Sequence, residues 1–110
     1  MATTNLLPAP PTDPSDSDLL ARVHPDPQRP GPDRWRVLDG DLAVWALIQH
    51  LAAIGDLADP LLATDGLIAR TAADHRIPEV GVRAALAYYR AHRCPIDTRL
   101  AINAAVASGK

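Results

Sequence analysis

The sequence predicts an all-α domain built around a helix-turn-helix, carrying a small N-terminal β-hairpin and a disordered Pro-rich tail. Three observations carry this. Residues 67–86 read as one short helix, a tight turn and a second helix that runs on through Tyr88-Tyr89-Arg90. The apolar residues outside this stretch also recur mainly at helical spacing. Apolar residues make up 47% of the whole chain with no Phe, a composition suited to close-packed small helices rather than to a large sheet. Finally, eight of the 11 prolines crowd into residues 1–34.

The tail comes first in the chain. Pro8, Pro10, Pro11, Pro14, Pro25, Pro27, Pro30 and Pro32 are interspersed with Asp and Ser. Proline removes backbone donors and blocks helix and sheet interiors, so residues 1–34 are expected to be extended or disordered. Within them, residues 17–23 offer a short helix or strand at most. The folded domain is expected over residues 35–110.

Trp35-Arg36-Val37-Leu38 and Asp41-Leu42-Ala43-Val44 flank Asp39-Gly40, a dipeptide that tolerates the positive φ of a type I′ turn. A lone hairpin is marginal, so it must lean on helices or on another subunit. Val44, Leu47, Ile48 and Leu51 follow the i, i+3, i+4, i+7 rule and predict an amphipathic helix. Gly55 suits the position just past its end. Residues 56–63 read as a linker with a helical turn after Pro60, and Thr64 or Asp65 can cap the next helix.

In the helix-turn-helix, Ala72 is small where two helices cross, and Ile77 is an apolar plug after the turn. Pro78 and Glu79 open the second helix, and Val82, Ala85, Leu86 and Tyr89 form its inner stripe. Cys94-Pro95 is expected to stop that helix. Pro95-Ile96-Asp97 can start a last helix, running through Arg99 to about Ala107, with Ile96, Leu100, Asn103 and Ala107 on one face and Ile102 and Val106 on another. A helix apolar on two sides wants two neighbours, its own core and a second chain.

The second helix of such a motif can lie in a DNA major groove, which makes Arg70, Arg76, Glu79 and Arg83 the candidate DNA-contacting residues. Arg76 and Arg83 suit a forked contact to guanine or phosphate; Glu79 repels phosphate unless it reads a cytosine amino group. The charge distribution agrees with that placement. Residues 1–60 hold nine Asp against four Arg, a net of −5, whereas residues 61–110 carry +3 within an overall −2. Two recognition arginines per chain is sparse, because affinity for DNA comes largely from neutralised phosphates, and a homodimer doubles the number. Trp35, Trp45, Tyr88, Ile102 and Val106 are the candidate partner or dimer contacts.

No catalytic or metal site is expected, and no cofactor. His24, His50, His75 and His92 lack ligand partners at metal spacing. Cys94 stands alone, precludes an internal disulfide, and has no local activator. There is no phosphate-binding loop or nucleophile elbow. Without a signal-like or membrane-spanning segment, the expected location is cytoplasmic.

The segment Ile77-Pro78-Glu79-Val80-Gly81-Val82-Arg83-Ala84-Ala85-Leu86-Ala87-Tyr88-Tyr89-Arg90-Ala91-His92-Arg93, followed by Pro95-Ile96-Asp97-Thr98-Arg99-Leu100, resembles domain of unknown function family 433, the VapB-type antitoxin-like proteins. The resemblance covers about residues 35–103. It implies a homeodomain-like helix-turn-helix fold and a homodimeric antitoxin that neutralises a PIN-type RNase toxin and autoregulates its operon. Two features depart from the family pattern. Gly40-Asp41-Leu42-Ala43-Val44 replaces the usual Thr-Arg pair of the second strand with an acid, and residues 56–64 look inserted. The lost Thr-Arg pair, together with the net charge of −2 and Glu79, motivates the alternative reading, a protein–protein interaction module on the same scaffold without DNA binding.

Overall fold

The computed structural model describes residues 15–108. They form five α-helices and a small three-stranded antiparallel sheet. The first helix, α1 (Asp16–Leu20), and the first strand, β1 (Val23–His24), lie inside the region that the prolines mark as a tail.

That expectation is corrected for residues 15–34; residues 1–14 lie outside the described residues. Ser15 closes a capping box: its Oγ accepts from the Asp18 N–H at 3.2 Å, and the Asp18 carboxylate accepts from the Ser15 N–H at 3.4 Å. Leu19 and Val23 are buried. The prolines fall where no donor is needed. Pro25, Pro27 and Pro30 lie in the connection after β1, and Pro32 opens a 3-10 turn, Pro32–Arg34.

β1 pairs with β2 (Arg36–Val37), which pairs in turn with β3 (Leu42–Ala43). The Val37↔Leu42 register leaves a four-residue loop, not the two-residue Asp39-Gly40 turn. Positive φ falls at Gly40 (75°) and Asp41 (51°). Gly40 is also crowded, since a Cβ there would lie 2.8 Å from Ile77 Cγ2. Arg22 fastens this loop from outside, its guanidinium forking onto Asp39 at 2.8 and 3.0 Å.

α2 (Val44–Gly55) buries Val44, Leu47, Ile48 and Leu51, the stripe read from the sequence. Asp56, not Gly55, takes the left-handed position after it, at φ 50°. Gly55 is instead the site of a close approach, because a Cβ would sit 2.6 Å from Leu67 Cδ1. A 3-10 turn, Pro60–Leu62, follows, capped by Asp59. α3 (Asp65–His75) starts at Thr64, whose Oγ1 accepts from the Leu67 N–H at 3.2 Å. It ends at Arg76, left-handed at φ 58°.

α4 (Glu79–Ala91) is the axis of the fold. α1, α2 and α3 all pack on it, and Gly81, Val82 and every residue from Ala84 to Tyr89 are buried. Alanines at 84, 85 and 87 let neighbours approach on several sides at once. α4 ends at Ala91, three residues before Cys94, and α5 (Arg93–Ser108) starts two residues ahead of the expected Pro95, which sits in its first turn, where its missing N–H has no intrahelical role. Ile96 is fully buried, while Ile102 and Val106 are 45% and 73% exposed. No helix among the described residues is long and apolar enough to cross a membrane.

Candidate functional site

The turn between α3 and α4 is built from the left-handed Arg76, the Ile77 N–H donating to Ala72 O at 3.0 Å, and Pro78 as the residue before α4. The Ile77 side chain lies between Gly40 and Gly81, so the hairpin loop buttresses the turn. A Cβ at Gly81 would lie 3.0 Å from Asp39 Cβ and 3.1 Å from Ile77 Cδ1.

The four arginine and glutamate candidates do not converge. Arg76 and Glu79 are exposed at the turn. Arg70 is exposed and only loosely paired, with its Nε 4.0 Å from Asp74 Oδ2. Arg83 is drawn elsewhere: its Nη2 lies 3.0 Å from Asp65 Oδ1, at the opposite end of α3 from Arg76. α3 has 11 residues, so the two ends are roughly 16 Å apart. Beyond Arg83, the face of α4 that a groove-reading helix must present is largely covered, with Leu86, Ala87 and Tyr88 buried.

Most other arginines are also engaged. Arg22 pairs with Asp39, Arg34 and Arg99 with Asp33, Arg36 with Asp26 and Asp41, Arg90 with Asp16, and Arg93 with Asp59 and Asp97. Among the described residues, Arg29 and Arg76 are the two in no ion pair. The positive charge of the C-terminal half is thus matched locally by aspartates, several of them from the N-terminal half.

Of the candidate partner contacts, Tyr88 is corrected. It is 2% exposed, stacks between Trp35 (centroids 5.2 Å) and His92 (4.2 Å), and donates its hydroxyl to Pro32 O at 2.6 Å. Burial pushes its pKa up to about 12. Trp35 and Trp45 are half-buried and lean on the core. Tyr89 points the other way and donates to Asp97 Oδ1 at 2.6 Å; burial, with that bond, raises its pKa also to about 12. Ile102 and Val106 alone of the five face outward, as the two-sided last helix requires.

Two arrangements have no sequence signature. His50 on α2 meets the end of α3, with Nε2 2.8 Å from Asp74 Oδ2 and its ring edge-on to His75 at 4.8 Å. The His50 hydrogen bond holds Asp74 below the usual carboxylate range, helped by the nearby positive charge of Arg70. No group of three or more His, Cys, Asp or Glu among the described residues is arranged to hold a metal ion. The second arrangement is a groove of about 260 Å³ between α1, the Pro60–Leu62 turn, α3 and α4. Leu19, Leu61, Ala63, Ile68 and Leu86 line it, with Arg83–Asp65 and Arg90–Asp16 beside them. Its parts are dispersed from Asp16 to Arg90, so only the packing of α1 on α4 reveals it.

No family model matches the chain, and no curated protein or solved structure matches it.

Proposed function

We propose that this chain is a protein-interaction module on a homeodomain-like helix-turn-helix scaffold, antitoxin-like in that it acts by holding a protein partner. A PIN-type RNase toxin is the partner class its family resemblance implies. The observation that carries this reading is the state of α4. A helix that reads a major groove presents a broad outward face, whereas here α1, α2 and α3 pack on α4, eight of its 13 residues are buried, and only a strip through Glu79, Arg83 and Arg90 stays open. Its one central arginine, Arg83, is turned back to Asp65. Affinity for DNA scales with neutralised phosphates, and eight of the ten arginines, all but Arg29 and Arg76, already face aspartates.

A second reading, operator binding, draws on one feature. Arg76 is exposed, in no ion pair among the described residues, and set on the turn between α3 and α4. The two are separated by one pair of measurements. Co-purification with the product of the neighbouring gene, together with no shift of upstream DNA at low salt, is the expected result. A salt-dependent DNA shift that Arg76→Ala removes would overturn the module reading in favour of operator binding.

A further inference from the structure

We propose that the groove between α1 and α3 is the docking site for an acidic, leucine-bearing helix of the partner, and that Asp16 and Asp65 stand in for that helix's carboxylates. The inference rests on the module reading above and adds to it the surface and the chemistry of its occupant.

The argument starts from the two arginines. Arg83 and Arg90 stand seven residues apart on α4, two turns, or about 10.5 Å along its axis. Leu86 lies between them on the same face, and Leu19 and Ile68 close the floor on either side. Each arginine is held by one aspartate from a different wall: Arg83 by Asp65 of α3 at 3.0 Å, Arg90 by Asp16 of α1 at 3.3 Å. Those aspartates are 89% and 64% exposed. Ion pairs so open to water contribute at most about 1 kcal/mol, so an incoming carboxylate exchanges with them at little cost.

A helix with acids at i and i+7 repeats the 10.5 Å spacing and puts residues i+3 and i+4 between them on one face. Leucines there meet the apolar floor. Nucleic acid fits the same arginines less well. A phosphate backbone has nothing to set against the apolar Leu19 and Leu86 of the floor. The recognition is therefore of a peptide: two carboxylates for the arginines and an apolar side chain between them.

The test uses the full chain and a fluorescein-labelled synthetic peptide, Glu-Ala-Gln-Leu-Leu-Gln-Ala-Glu, flanked by alanine-rich helical turns. Binding is read by fluorescence anisotropy. Saturable binding is expected, weakened about tenfold or more by Arg83→Gln with Arg90→Gln. Asp16→Asn with Asp65→Asn is expected to tighten it about threefold to tenfold, because the resident competitors are gone. That gain cannot arise from misfolding. The same peptide with lysines in place of its glutamates should not bind. No binding by the first peptide, or no tightening by the double Asp→Asn variant, overturns the assignment. So does tighter binding of that variant to duplex DNA than to the peptide. So does a concentration-dependent dimer of the protein alone that Arg83→Gln with Arg90→Gln dissolves, since the occupant is then a second copy. If the neighbouring gene's product binds and ignores the arginine substitutions, the groove assignment fails while the module reading stands. If neither product nor peptide binds, both fail.

Discussion

Leu19→Ala tests whether the proline-rich N-terminal region belongs to the folded unit. Leu19 is 8% exposed and seats α1 against α4 beside the groove. Truncation removes three carbons at about 0.8 kcal/mol each, a transfer loss of about 2.4 kcal/mol. The further penalty for an unfilled cavity is small here, because the site borders an open groove into which water and neighbours can move. The total is therefore about 2.5 kcal/mol, at the low end of leucine-to-alanine losses in protein cores. For a domain of this size that corresponds to a fall in Tm of roughly 10–20 °C. In urea it is a midpoint shift of about 1–2 M. Thermal and urea unfolding followed by circular dichroism measure both. Ser15→Ala should cost about 1 kcal/mol more weakly through the cap, and only if α1 is docked. A Leu19→Ala change within ±0.5 kcal/mol, the range of ordinary surface substitutions, would refute the reasoning and return residues 15–34 to the status of a tail.

Three further outcomes follow from the geometry. Gly40→Ala forces a left-handed alanine at φ 75° against Ile77, which should cost at least about 2 kcal/mol; an unchanged melting curve would mean that the loop does not hold this shape. Arg76→Gly relieves a left-handed arginine at φ 58° and should raise Tm by about 4–8 °C, whereas a fall would show that the side chain supports the turn. Tyr88 and Tyr89 both titrate near 12 in the folded protein against 10.0 ordinarily, so the native state keeps protons that the unfolded chain gives up. Stability should be full below pH 10 and decline as pH climbs toward 12, with Tyr88→Phe and Tyr89→Phe together flattening the decline in pH-dependent unfolding.

The helices were legible because their signals are local. The α2 stripe, the Thr64 cap, the turn after Pro60 and the opening of α4 at Pro78 and Glu79 are each set by neighbours within one or two turns. What escaped the sequence depends on contacts between distant residues. Composition gave residues 15–34 to the solvent, yet Leu19 and Val23 find the core and Arg22 finds Asp39, 17 residues on. Tyr88 lies off the inner stripe expected of an amphipathic helix, but α1, α2 and α3 all pack on α4, so its inner face widens to take in Tyr88 and only the strip through Glu79, Arg83 and Arg90 stays outside. The candidate site was readable only in part. Arg83 was visible as a cation, while its direction depends on Asp65, and the His50–Asp74 pair depends on how α2 lies across the end of α3.

The matching of arginine to aspartate has a kinetic consequence. Charges neutralised within a few ångströms make short dipoles, whose field dies away well inside the screening length of physiological salt. A partner approaching this surface is not steered from a distance. Its association rate should sit in the unsteered range of about 10⁵–10⁶ M⁻¹s⁻¹ and change little with ionic strength. Discrimination between partners then falls to how long each stays, which the exchange of aspartates for foreign carboxylates controls after contact has been made.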